Sequence, residues 1–342
     1  MNTDRIKRSH RPEGQRPLVL DDIGSFYMTG DLVEHTAVEM GLSDFGIIEG
    51  DRLPVNQLYV QFMVPQHAMN YPVVMVHGLT ISGKGYETKP DGRMGWSEYF
   101  LRQSFPVYLV DQVSRGRSGF NQAAYNMVRA GLVSPESQPP IIRVGNKFVW
   151  VEFRLGPEPG VPFADTQFPI EFIDDFLMQT IPSPYDFLVP NETPRQLGEL
   201  AAELDGAVLI GHSESAMFPI DAALSNPAGT KGLVVIEAEA ADVSAYTDDQ
   251  IATLASIPIL FVFGDHLDTE LLIPGSDWRT SFANAQKFIA KVNDAGGNAK
   301  MLYPPDLGIY GNSHMIMNDK NSDQIADLII EWIQKNVGRP SA

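Results

Sequence analysis

The chain reads as an α/β fold carried by a mostly parallel sheet, and the pattern of its apolar runs predicts it. YPVVMVHG (71–78), FPVYLVDQ (105–112), GAVLIGHS (206–213), KGLVVIEAE (231–239) and IPILFVFGD (257–265) are continuous apolar segments. Strands buried on both faces of a parallel sheet have this character. Helix-like stretches alternate with them: GWSEYFLRQ (95–103), SAMFPIDAALSN (215–226), SFANAQKFIAKVNDAGG (281–297) and SDQIADLIIEWIQKN (322–336). Such alternation places helices on both faces of the sheet. Upstream, DIGSFYMTGDLVE (22–34) and NQLYVQFMVP (56–65) alternate apolar with polar residues and predict antiparallel strands at a sheet edge. AKMLYPPD (299–306) supplies the last strand, which makes eight.

One stretch breaks the rhythm. Residues 120–195 are rich in proline and aromatics, as in KFVWVEFRLGPEPGVPF. A segment this long between two core strands is not expected to be bare loop. It is expected to be an inserted, mostly helical cap over the strand ends, with a peripheral decoration as the alternative. Residues 1–342 read as a single domain that includes this insertion, with residues 1–20 as a leader open to disorder.

Bulk properties narrow the function classes. With 342 residues, 44% of them hydrophobic, the chain can bury a substantial core. A formal charge of −18 argues against a nucleic-acid partner and against docking on anionic lipid. The absence of cysteine removes disulfides, thiolate metal sites and cysteine nucleophiles. No segment approaches the ~20 apolar residues of a membrane span. The basic start, MNTDRIKRSHRPEGQRP, lacks the apolar stretch of a signal peptide. A soluble protein in the cytoplasm is expected, with periplasmic or secreted placement left open.

The sharpest chemical signal is VLIGHSESAMFPIDAAL (208–224). A buried strand ends in Gly211-His212-Ser213-Glu214-Ser215, and a helix is expected at once. This is the nucleophile-elbow layout, in which a strained strand-to-helix turn lifts a serine above the sheet. Serine at 215 stands where glycine is commoner. The bland alternative for Ser213 is a helix cap.

A serine nucleophile needs a base. Of the seven histidines, His10, His35 and His67 fall in the leader, edge and turn regions, and His212 points away from its neighbour on a tight turn. His314, in DLGIYGNSHMIMNDKN, follows the last strand, where the chain order serine, acid, histidine that goes with a nucleophile elbow calls for it. His266 is the runner-up. Two acids stand at strand ends: Asp268, after the strand that usually supplies this group, and Glu237, one strand earlier. Glu237 ends its apolar run more abruptly, and an unpartnered carboxylate there would carry a desolvation cost. A salt bridge to a cap arginine is its structural alternative. A metal site from Asp265, His266 and Asp268 is disfavoured, because their spacing suits a turn and no second ligand cluster is evident.

The loop after the strand 71–76 is expected to give an oxyanion-hole amide. HGLT puts that N–H at Leu79, with Gly78 allowing close backbone approach and His77 bracing the loop. The second amide is that of Glu214. In YLVDQVSRGRSGF, Asp111, Arg115 and Gly116 read as architectural.

These residues resemble the α/β-hydrolase superfamily, and within it a branch of bacterial serine esterases typified by an Alcaligenes esterase. The resemblance runs from about Asp22 to Asn336 through ETKPDGRMGW, RGRS, DTQFP, SIPIL, VFGDH and YGNSHM. It implies a Ser-His-Glu triad of Ser213, His314 and Glu237, raising Glu237 above Asp268. It also implies an oxyanion hole at Leu79 and Glu214, and a homodimer. The characterised type carries adjacent cysteines where this chain has Leu79-Thr80. The resulting expectation is a serine carboxylic-ester hydrolase acting through an acyl-enzyme on a small or medium, apolar ester, with no metal or organic cofactor. The alternatives are a lactonase or amidase with the same triad, and a non-catalytic ligand-binding member of the fold.

Overall fold

The computed structural model describes residues 16–185, 191–239 and 241–340. Eight strands form the main sheet in the order β1-β4-β6-β5-β9-β10-β11-β12. They are β1 (Leu20–Met28), β4 (Leu58–Pro65), β5 (Val73–Val76), β6 (Val107–Asp111), β9 (Ala207–His212), β10 (Thr230–Ile236), β11 (Ile259–Val262) and β12 (Ala299–Leu302). β4 pairs antiparallel with β1 and β6, whereas the ladders from β6 through β12 are all parallel. The mostly parallel eight-stranded sheet is the one expected.

The central strands carry two cores, one per face, because successive side chains point to opposite sides. Val73 and Met75 join Trp96, Phe100, Ile325 and Ile329 on one face. These come from helices α1 (Trp96–Arg102) and α9 (Ser322–Asn336). Val74 and Val76 join Leu197, Ile220, Leu254 and Phe288 on the other, from α5 (Thr193–Glu203), α6 (Phe218–Ser225), α7 (Asp248–Ala255) and α8 (Trp278–Asp294). Fully buried continuous strands are therefore the direct consequence of helices on both sides.

Three differences from the sequence expectations stand out. DLVE is not part of the edge strand. It forms β2 (Asp31–His35), which pairs with β3 (Asp51–Val55) in a separate two-stranded ribbon. The inserted segment is less helical than expected: α2 (Ala123–Arg129), α3 (Asn146–Glu152) and α4 (Ile173–Leu177) are short, and β7 (Ile141–Ile142) and β8 (Ser183–Pro184) pair briefly between them. Its prolines remove the amide donors a longer helix needs. Even so, Val149, Trp150, Phe153, Leu155, Phe168 and Phe176 are buried in the core on the face of α1 and α9. Most of the expected leader, residues 1–15, lies outside the described residues, while Leu18 and Leu20 pack against the core.

Candidate active site

At the end of β9 the backbone of Ser213 adopts φ 58°. A left-handed conformation at a residue bearing Cβ marks a sharp, strained turn. A short 3-10 turn, Ser213–Ser215, intervenes before α6 starts at Phe218, so the helix does not follow at once as expected. Pro219 explains the delay, because proline favours the first helical turn and resists earlier incorporation. The serine at 215 has a task a glycine could not perform. Its hydroxyl accepts from the His212 amide at 3.1 Å and lies 3.1 Å from the Val76 carbonyl, tying the elbow to β5.

The chain crosses from this elbow to two distant loops. Ser213 Oγ lies 2.8 Å from His314 Nε2, and His314 Nδ1 lies 2.8 Å from Glu237 Oε2. The carboxylate assigns the imidazole proton to Nδ1, leaving Nε2 to accept from the serine hydroxyl. Glu237 leaves β10 with φ 58° and is completely buried. Burial by itself would raise its carboxyl, yet the Arg154 guanidinium, His314 and the Gly264 amide together hold it down at about 2. It stays ionised. Gly264 is required here: a Cβ would stand 2.7 Å from the Asn312 and Ser313 carbonyls.

His314 is gripped from several sides. Its amide donates to the Phe153 carbonyl at 3.0 Å, and its own carbonyl accepts from His212 Nε2 at 2.9 Å. The rings of Phe153, His212 and Trp278 surround it at 4.8 to 5.0 Å. Burial, and then the nearby His314 charge, depress His212 to about 3, so His212 is a neutral support. The His314 loop is fixed by the buried Asp319, which accepts from the Ser313 amide and hydroxyl and from Asn312.

Arg154 is the residue that sequence reading missed. Its Nη2 donates to both Glu237 oxygens at 2.7 Å, its Nε donates to the Asp265 carbonyl, and its guanidinium lies 4.5 Å from the Trp278 ring. Both side chains of the pair are fully buried. The cap arginine named as a structural alternative for Glu237 therefore exists, and it engages the same carboxylate that faces His314. An arginine closing the mostly apolar stretch FVWVEF was the available signal, since a buried arginine demands a partner.

The loop after β5 approaches Ser213 closely. A Cβ on Gly78 would stand 2.8 Å from the Ser213 Cβ. His77 is buried: its Nε2 accepts from the Gln112 amide, so Nδ1 donates to the Gly78 carbonyl at 2.8 Å. Thr80 follows with φ 54° and receives the Ile181 amide on its carbonyl. Among the described residues, neither the Leu79 nor the Glu214 amide has a hydrogen-bond acceptor. The Glu214 carboxylate turns to Arg115 at 3.2 Å.

The remaining candidates separate from this group. Asp268 is on the surface, with both oxygens on Arg279. It lies in a polar turn and is exposed, and the carboxylate beside His314 Nδ1 is that of Glu237 instead. His266 stacks on Phe163 at 3.9 Å and meets Asp165. Asp165, Asp265 and His266 cluster, without Asp268, while Asp265 is already engaged by the His266 and Gly311 amides. Asp111 pairs with Arg117 at 2.7 Å, an architectural contact. A cavity of about 650 Å³ opens on Ser213, His314, Leu79 and Glu214.

No family model matches the chain. Its fold superposes with a TM-score of 0.86 on a solved bacterial esterase described as novel, at 36% identity, covering 96% of this chain and 100% of that one. It is 25% identical over 321 residues to the Probable secreted lipase phiG of a fungus, strain ATCC 74256, covering 81% of this chain and 86% of that one. The chain belongs to the α/β-hydrolase esterases. It is a hydrolase of the carboxylesterase type.

Proposed function

We propose that this protein hydrolyses small carboxylic esters through an acyl-enzyme on Ser213. One observation carries the reading: the Ser213 hydroxyl, the His314 imidazole and the Glu237 carboxylate form a continuous line of two 2.8 Å contacts beside a cavity. The Ser213 Oγ attacks the ester carbonyl as its proton passes to His314 Nε2, and Glu237 holds the resulting imidazolium. The Leu79 and Glu214 amides receive the oxyanion. His314 then returns the proton to the leaving alcohol. Water, deprotonated by the same imidazole, cleaves the acyl-serine, and the regenerated hydroxyl closes the cycle.

Residues 120–195, of which 186–190 lie outside the described residues, act as a cap in this reading through their described part: Ile142, Phe148, Phe153 and Tyr185 line the cavity, and Phe153 and Arg154 also brace His314 and Glu237. The cavity's aromatic walls suit an ester of small or medium size. Lactones and amides remain the alternative substrates, whereas membership in an esterase family weighs against a non-catalytic role. No metal or organic cofactor enters any step. The reading carries over the homodimer and the cytoplasmic location expected from the sequence, to be checked by size-exclusion chromatography and fractionation. Among the described residues, no helix is long and apolar enough to cross a membrane.

The test is turnover of p-nitrophenyl acetate and butyrate by the wild type and by Ser213→Ala. The substitution is expected to remove at least about 10⁴-fold of kcat. Retention of near-wild-type turnover would reject Ser213 as nucleophile.

A further inference from the structure

The cavity at Ser213 combines aromatic walls with an unbalanced set of carboxylates. Phe148, Tyr185, Phe218 and Tyr246 contribute the rings. Glu152, Glu214, Asp221 and Glu239 contribute the acids, and no lysine or arginine among the described residues lines the space. Two of the acids are already engaged. Glu152 accepts the Leu272 and Ile273 amides at 2.5 and 2.9 Å, and Glu214 pairs with Arg115. The side-chain carboxylates of Asp221, on the first turn of α6, and of Glu239, two residues beyond Glu237, have no hydrogen-bonding or ion-pair partner among the described residues, whose bonds at these two positions run through the backbone.

Both are exposed to the cavity. Burial among its walls pushes the Asp221 carboxyl up to about 6. Burial raises Glu239 too, the His314 charge opposes it, and Glu152, Glu237 and Glu214 add to the rise. Carboxylates thus gather at the cavity, with Arg115 engaged at Glu214 and only a charged His314 acting against Glu239. A cation can relieve that crowding, and aromatic faces favour cations further. The formal charge of −18 also concentrates positive solutes near the surface.

We propose that the preferred substrates are esters carrying an ammonium group, held between Asp221, Glu239 and the aromatic walls while the carbonyl meets Ser213. This inference rests on the serine-hydrolase reading. That reading and the family membership identify an ester as the cavity's ligand; the carboxylates determine which charge that ester bears. Esters with a free carboxylate are disfavoured by the same groups, and the small apolar ester expected from sequence becomes a secondary substrate.

The experiment compares butyrylcholine with 3,3-dimethylbutyl butyrate, its neutral carbon isostere, by acid titration at pH 8 and low salt. p-Nitrophenyl butyrate serves as a control. The cationic ester is expected to show a kcat/KM about tenfold higher or more, from one ammonium beside carboxylates only partly screened by water. That ratio is expected to fall with ionic strength, and to approach one in the doubly substituted Asp221→Asn, Glu239→Gln protein. Reading a ratio within each protein cancels any general loss of activity. On the unaltered protein, choline is expected to inhibit p-nitrophenyl butyrate hydrolysis at lower concentration than 3,3-dimethylbutan-1-ol. Equal or better turnover of the neutral isostere by the wild type, with p-nitrophenyl butyrate hydrolysed, overturns the charge preference alone. Failure to hydrolyse any of the three esters overturns the serine-hydrolase reading with it.

Discussion

Substituting Arg154→Met removes the guanidinium that faces Glu237 while keeping much of the side-chain volume. The consequence follows from burial. Both partners are fully enclosed, and Glu237 then retains only His314 and the Gly264 amide against its desolvation. Removing one member of a buried ion pair costs about 3–5 kcal/mol, because the other charge is left uncompensated. The carboxyl points the same way: against its burial, Arg154, His314 and the Gly264 amide together hold it at about 2 instead of 4.5, a net grip of about 3 kcal/mol in which the arginine is one part. A depressed carboxyl contributes its stability above the unfolded value and loses it as the pH falls through the window from 4.5 toward about 2. Above that window the wild type keeps the full contribution.

In Arg154→Met, burial gains the upper hand and Glu237 takes up a proton at higher pH. Urea unfolding at pH 7 is expected to show the loss of about 3 kcal/mol or more. The acid limb of kcat/KM, read on folded protein, is expected to move to higher pH, which a purely structural support would not do. Arg154→Lys keeps a charge but not the two-oxygen grip, and is expected to fall between the two. Unfolding within about 0.5 kcal/mol of wild type, together with an unmoved acid limb, would refute the argument that the inserted segment sets the charge state of Glu237.

Three further outcomes follow from the site geometry. Gly78→Ala places a methyl 2.8 Å from the Ser213 Cβ, and kcat on p-nitrophenyl butyrate is expected to drop about tenfold to hundredfold as the serine or its loop shifts. Glu237→Gln is expected to lower kcat by about 10³–10⁴, since the amide cannot stabilise an imidazolium. Asp268→Asn, on a surface carboxylate paired with Arg279, is expected to leave kcat within twofold, roughly what a remote surface change produces. A larger effect at Asp268 than at Glu237 would reverse the assignment of the acid.

The parts legible in the sequence are those that depend on local pattern. Uninterrupted runs such as PVVMV and AVLIG could be read as strands covered on both sides, and the elbow around Ser213 could be read from a strand meeting small residues. The choice of Glu237 over Asp268 came from resemblance to a family, because both residues end apolar strands and only their surroundings distinguish them. Arg154 was hidden because its partner is 83 residues away in the chain, and no periodicity records such a meeting. The delayed start of α6 and the hydroxyl bond of Ser215 were equally out of reach, since they depend on how β5 and the elbow dock. The ribbon of β2 and β3 was missed because its strands are short and mostly exposed, so alternation alone merged one of them with the edge strand.

The central claim, that Ser213 is the reacting atom's residue, is tested most directly by mass-spectrometric mapping of the protein after inactivation with a fluorophosphonate. One adduct per chain on the peptide containing Ser213, with none in Ser213→Ala, is the expected result. Stoichiometric inactivation with the adduct on any other residue would contradict it.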